Sequence, residues 1–144
     1  MRHIGLVWRA GDWFPQRSLS DDALARLADI ENVHWHALQY PPRQPPFPAD
    51  DLACADICDL ASRMQQLDLL ISVDTMAAHL AGALALPVWT LLNTDCDWRW
   101  LRDRDDSPWY PTMRLFRQPA CGDWQPVIDR VREALRIAAA PPRP

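Results

Sequence analysis

Leu67-Asp68-Leu69-Leu70-Ile71-Ser72-Val73-Asp74-Thr75 is the stretch of sequence that decides the fold. Its nearly continuous apolar run is typical of a parallel strand buried on both faces, and it ends on a carboxylate and a hydroxyl. Residues 76–84 are small and apolar, so they predict a helix whose backbone lies close against the sheet. A buried strand that leads directly into such a helix indicates an α/β domain.

Strand and helix patterns alternate on both sides of this unit. Further strands are predicted at residues 3–8, 33–39, 88–92 and 113–116, and further helices at residues 20–30, 56–66 and 124–139. The alternation predicts one three-layer α/β domain at residues 1–140, with a mainly parallel sheet of about five strands. Residues 141–144 read as a flexible tail.

Composition narrows the class of function. The chain has 144 residues and a net charge of −4, which disfavours nucleic acid as a partner. Its apolar runs are too short for a membrane span, and the N-terminus lacks the pattern of a secretory signal, so a cytoplasmic location is expected. All 15 basic residues are arginine, which excludes Schiff-base and phosphate-loop lysine chemistry.

The four cysteines show neither a CxxC pair nor the spacing of a disulfide scaffold, and we interpret them as reduced thiols. A zinc site that combines Cys54 and Cys58 with His34 and His36 is an alternative, because zinc accepts such sulfur and nitrogen ligands. The spacings of these residues miss the usual zinc-binding pairs. No metal is therefore assigned from the sequence.

The point where the decisive strand meets its helix is a candidate anion site. Ligands of open parallel sheets bind beyond the carboxyl ends of the strands, and free amides at Thr75, Met76 and Ala77 are suited to a phosphate there. His79 lies about one helical turn further on and can reach the same ligand. The alternative is that Asp74 only caps the helix and that His79 is a core histidine.

The loop after the first strand belongs to the same edge of the sheet. It carries Gly11 and Arg17, and the arginine can bind phosphate bidentately or can simply be a solvated side chain. The loop at residues 93–111 is rich in Trp, Arg and Asp, and loops of this length are usually functional. Its aromatic cluster is suited to stack on a base or to contact another domain. The members of that cluster are Trp98, Arg99, Trp100, Trp109 and Tyr110.

Residues 72–84 resemble the donor-site motif of heptosyltransferase-like glycosyltransferases. The wider resemblance is to bacterial glycosyltransferase domains that follow tetratricopeptide repeats, and it spans nearly the whole chain. The segments that carry it are Gly5-Leu6-Val7-Trp8, Arg17-Ser18-Leu19, Leu38-Gln39, Leu67-Asp68-Leu69-Leu70, Pro87-Val88-Trp89, Asp97-Trp98-Arg99-Trp100 and Ser107-Pro108-Trp109-Tyr110-Pro111.

This resemblance implies the Rossmann-like C-terminal half of a GT-B fold, which binds a nucleoside-diphosphate sugar as substrate with no metal and no other cofactor. Asp74 would then bind sugar hydroxyls, and Arg17 would neutralise charge on the leaving group. Gln39 would lie near the base. The diphosphate would be held by Thr75, Met76, Ala77 and His79, with Gly11 and Ser18 completing the donor site. The sequence departs from the family's pattern at Arg9, where a small residue is usual, and at Met76, where heptosyltransferases carry glycine.

In such enzymes the acceptor and the general base come largely from an N-terminal domain. That domain, or a tetratricopeptide-repeat domain, is expected as a partner. The chain alone is expected to bind the nucleotide or its sugar weakly and to catalyse little sugar transfer. Two other functions fit the same fold. One is a non-catalytic interaction module that uses the tryptophan-rich loop, and the other is a GT-B-type nucleotide-sugar epimerase.

Overall fold

The protein contains a six-stranded parallel sheet with helices on both faces. The computed structural model describes residues 1–139, so residue 140 and the tail predicted at 141–144 lie outside the described part. The strands are β1 Arg2–Val7, β2 Val33–Ala37, β3 Asp50–Asp51, β4 Leu69–Val73, β5 Val88–Leu92 and β6 Met113–Arg117. The helices are α1 Asp21–Ala25, α2 Ile57–Met64, α3 Met76–Ala83 and α4 Gln125–Ala139. The strand order is β3-β2-β1-β4-β5-β6, which is Rossmann-like and confirms the predicted fold class.

Two hydrophobic cores lie on opposite faces of the sheet. Alternate residues of β4 point to opposite faces, so Ile71 packs with α1 and α4 whereas Leu70 packs with α2 and α3. All five residues of β4 are buried, as expected for a central parallel strand. Within residues 1–139, no helix has the length and apolar character needed to cross a bilayer.

Small residues bring α3 close to the sheet, as the sequence predicts. Ala78 and Ala81 are fully buried, and Gly82 lies against the ring of Tyr110. A Cβ at Gly82 would approach that ring to 2.5 Å, a distance at which the ring or the helix must shift. The absence of a side chain at this position therefore allows Tyr110 to lie across α3.

Two elements differ from the prediction. The first helix begins at its predicted cap, since Ser20 Oγ accepts a hydrogen bond from the Ala23 amide, but it ends at Ala25 rather than near residue 30. The chain continues in turns with three-residue hydrogen bonds, and this spacing keeps Leu24, Leu27 and Ile30 on the buried side. The sixth strand, β3, was not predicted because it has only two residues, both of them aspartate.

Candidate functional site

The candidate site is a crevice at the carboxyl edge of the sheet, between β1 and β4. The chain proceeds from β1 to one side of the sheet and from β4 to the other, and open parallel sheets bind ligands at such a reversal. The crevice has a volume of about 180 Å³. Its lining residues are Arg17, Asp74, Thr75, Met76, His79, Asp97 and Arg99.

Asp74 is a buried carboxylate between two basic side chains. Only 6% of it is exposed, and its Oδ2 accepts no hydrogen bond from any residue in the range 1–139. Arg17 Nη1 lies 3.9 Å from Oδ2, and His79 Nε2 lies 4.0 Å from Oδ1. Both distances are longer than a hydrogen bond, so the carboxylate can still accept hydrogen bonds from a ligand in the crevice.

The amino end of α3 is open toward the same crevice. Thr75, and not Asp74, is the N-cap residue, and its side chain makes no capping hydrogen bond. The Thr75 hydroxyl instead shares a hydrogen bond of 3.1 Å with Ser72 Oγ. The first amides of α3 are thus free of a side-chain cap, and the helix dipole adds positive potential for an anion. The alternative in which Asp74 serves only as the cap is therefore wrong.

Arg17 ends a short 3-10 turn, Pro15–Arg17, in the loop after β1. Its guanidinium lies 4.5 Å from the centre of the Phe14 ring, and 23% of the side chain is exposed. Ser18 Oγ accepts a hydrogen bond of 2.9 Å from the Ala10 amide, which closes the loop behind the arginine. Arg17 is consequently a positioned side chain rather than a freely solvated one.

His79 is oriented by two aromatic residues of the loop between β5 and β6. Its Nδ1 forms a hydrogen bond of 2.9 Å with the Tyr110 hydroxyl, and its ring stacks on Trp100 at 5.0 Å between centroids. The other ring nitrogen, Nε2, faces Asp74. With 35% of its side chain exposed, His79 is not a core histidine.

The predicted aromatic cluster divides into a buried and an exposed part. Trp100 is fully buried beneath His79, so it is not free to stack on a base. Trp98 is 70% exposed and Trp109 is 56% exposed. The Trp109 indole donates a hydrogen bond of 2.9 Å to the Arg99 carbonyl, which ties the two parts of the loop together.

Asp97 lines the crevice but was not among the predicted site residues. Its carboxylate accepts hydrogen bonds from the Arg99 amide at 3.0 Å and from the Arg99 side chain at 2.8 Å. The amide contact first, and the guanidinium second, hold the pKa of Asp97 below its usual value. The segment Asp97-Trp98-Arg99-Trp100 was part of the resemblance to glycosyltransferase domains and could have indicated this residue, but no function was assigned to its aspartate from the sequence.

Four other predicted donor-binding residues are not part of the crevice lining, namely Gly11, Ser18, Gln39 and Ala77. Gln39 is buried, and its Oε1 accepts hydrogen bonds from the amides of Trp8 at 3.1 Å and Arg9 at 2.9 Å. Its Nε2 donates to the Arg9 carbonyl at 3.2 Å. Gln39 therefore joins the ends of β1 and β2, and its contact with a base stays a prediction.

A larger hollow of about 650 Å³ lies beyond β5 and β6 and shares Asp97 with the crevice. Asn93 and Gln118, which directly follow the two strands, line it and are buried. Asn93 Oδ1 and Gln118 Nε2 have no hydrogen-bond partner within residues 1–139. Neither residue was predicted from the sequence to belong to the site, although both come immediately after apolar strands.

The zinc alternative is wrong in its ligand set. Among residues 1–139, the group with metal-binding side chains within 4.8 Å of one another consists of His34, His36 and Asp50. Cys54 and Cys58 are not members, and both are free thiols.

Part of the chain is similar in sequence to a longer bacterial protein. The chain is 36% identical over 87 residues to Protein FlbA of Caulobacter vibrioides (strain ATCC 19089 / CIP 103742 / CB 15). The match covers 60% of this chain and 14% of FlbA, so the chain corresponds to a small part of that protein's length. No family model matches the chain.

Proposed function

We propose that this domain binds a nucleoside-diphosphate sugar at the β1–β4 crevice, as the donor half of a metal-independent glycosyltransferase. The observation that carries the proposal is the buried carboxylate of Asp74, whose Oδ2 accepts no hydrogen bond within residues 1–139, beside the uncapped amino end of α3, with Arg17 3.9 Å away. One edge of the sheet thus offers both a binding position for an anion and a hydrogen-bond acceptor for hydroxyl groups.

The charges of these groups indicate which part of the ligand each of them contacts. A diphosphate is attracted by the amides of Met76 and Ala77 and by the Arg17 guanidinium, and it is repelled by a carboxylate. Asp74 therefore contacts the sugar, whose hydroxyl groups donate hydrogen bonds to it. Arg17 and the α3 amides stabilise the charge that builds up on the diphosphate as the glycosidic bond breaks.

The sizes of the two cavities fit a ligand in two parts. A volume of about 180 Å³ is below the roughly 300–1,000 Å³ of complete ligand pockets. The neighbouring hollow of about 650 Å³ supplies the missing room, and the orphan polar atoms of Asn93 and Gln118 supply hydrogen-bonding partners for a nucleoside. We place the diphosphate in the crevice and the nucleoside in the hollow. Gln39 follows β2, on the other side of the crevice, so this proposal replaces the predicted contact of Gln39 with the base.

The acceptor and the general base are assigned to a facing domain or partner. Exposed apolar side chains of two loops and of the first turn of α3 lie along the carboxyl edge of the sheet, where such a domain would meet the donor. They include Trp13 at 90% exposure, Met76 at 54%, Trp98 at 70% and Trp109 at 56%. The same rim favours a second candidate, an interaction module without nucleotide affinity.

Isothermal titration tests the proposal and separates the two candidates. The ligands are the diphosphates of uridine, guanosine, adenosine, cytidine and thymidine, each with and without an attached hexose. The donor-domain proposal predicts saturable binding of at least one diphosphate and tighter binding of its sugar conjugate, because Asp74 then gains hydrogen bonds. If none of the ligands binds, the interaction module is the better account.

A further inference from the structure

Three of the four histidines of the chain lie in one cluster, away from the crevice. His3 pairs with His34 in the register of β1 and β2, and His36 pairs with Asp50 in the register of β2 and β3. Residues two apart on a strand share a face of the sheet, so His34 and His36 point the same way, as does His3 opposite them. The topology therefore collects these side chains from three neighbouring strands.

The nitrogen and oxygen atoms of this cluster are already close. His34 Nε2 lies 2.7 Å from Asp50 Oδ2, and His3 Nδ1 lies 2.9 Å from His36 Nε2. The ring centroids of the three histidines are 4.8 to 5.3 Å apart. His36 is 9% exposed, and its Nδ1 has no hydrogen-bond partner within residues 1–139.

We propose that His34, His36 and Asp50 form a binding site for a divalent transition metal of the zinc type, with His3 next to it in contact with His36. Imidazole nitrogens with one carboxylate are a donor set that zinc takes in proteins. With metal–ligand distances of about 2.0–2.2 Å, the donor atoms of a tetrahedral site lie about 3.3 Å apart. The 2.7 Å pair of His34 and Asp50 needs to open only slightly, and the donor atoms of His34, His36 and Asp50 all lie within 4.8 Å of one another.

The location indicates what a bound metal would do. The two-residue strand β3 forms the edge of the sheet and pairs only with β2. A metal held by Asp50 and the two histidines of β2 would cross-link this edge, and His3 would extend the link to β1. A hollow of about 380 Å³ lined in part by His34 and Asp50 offers the ion a route of entry. None of the four residues lines the crevice, so this inference does not rest on the proposed function.

The test is titration of the metal-free chain with Zn²⁺, followed by calorimetry and by the melting temperature. We expect one equivalent to bind and to raise the melting temperature, because a ligand of the folded state stabilises that state. His34→Ala and Asp50→Asn each remove one ligand from an exposed or half-exposed position. Each variant is expected to lose at least about tenfold in Zn²⁺ affinity, as even outer-shell changes do. Co²⁺ in place of Zn²⁺ should give the visible absorption of a tetrahedral site in the wild type but not in either of these two variants.

The controls are Cys54→Ser with Cys58→Ser, and His79→Ala, which removes the fourth histidine. Both should retain the wild-type Zn²⁺ affinity and the metal-induced rise in melting temperature. The inference is overturned if the wild type binds no Zn²⁺, or if His34→Ala and Asp50→Asn both bind Zn²⁺ with the wild-type affinity. Loss of binding in the cysteine double variant would also overturn it, because the thiols would then be the ligands.

Discussion

Arg17→Ala should weaken the binding of a nucleoside diphosphate by about 10- to 150-fold. Hydrogen bonds to charged groups contribute about 1.5–3 kcal/mol each, and this range corresponds to that loss of affinity. Arg17 faces the crevice from the loop after β1, and it is the cation nearest to Asp74 Oδ2. The measurement is the ratio of dissociation constants from isothermal titration of the variant and the wild type.

Arg43→Ala is the matched control, because it removes the same charge outside the crevice. The Arg43 side chain is 47% exposed, and its contact with Asp21 is 3.8 Å long. A surface substitution of this kind changes free energies by no more than about 0.5 kcal/mol, or roughly twofold in affinity. Equal losses in Arg17→Ala and Arg43→Ala would mean that only overall charge matters, which contradicts a specific anion seat.

Trp100→Ala should lower the free energy of unfolding by about 3–5 kcal/mol, the usual cost of truncating a large buried aromatic residue. Trp100 is fully buried in the core formed with α2 and α3, and it supports the ring of His79. For a domain of this size the melting temperature falls by about 2–4 °C per kcal/mol, so a decrease of roughly 6–20 °C is expected. Thermal and urea denaturation followed by circular dichroism measure both quantities.

Trp98→Ala is the comparison for this substitution, since it removes the same side chain two residues earlier in the same turn. Trp98 is 70% exposed, and its loss should change stability by no more than about 0.5 kcal/mol. Equal stability of the two variants would contradict the buried position of Trp100 beneath His79.

Most of the fold could be predicted because its signals are local. β4 shows the short apolar run that is typical of a buried parallel strand, and α3 shows the small residues of a helix packed closely on a sheet. β3 could not be predicted, because two aspartates after a proline-rich loop carry no strand signal and pair only through the position of β2. The early end of α1 could not be predicted for a different reason, because a three-residue apolar spacing fits both an α-helix and a 3-10 helix.

The site was predictable where its residues sit next to strand ends. Asp74, Thr75 and Met76 follow β4 directly, and their gathering at the crevice depends only on the parallel sheet. Asp97 reaches the same crevice through the path of a long loop, which no local pattern describes. For Gln39, the position after β2 was predicted correctly from the sequence. The hydrogen bonds between its side-chain amide and the Arg9 backbone were not predicted.

The most direct test of the central claim is an NMR titration of the isotope-labelled chain with the nucleoside diphosphates named above. The claim is that the amino end of α3 and Arg17 hold the diphosphate. It predicts that the largest shifts fall on the amides of Thr75, Met76 and Ala77 and on the Arg17 Nε–Hε resonance. Shifts confined to other parts of the chain, or no shifts with any of the nucleotides, would contradict it.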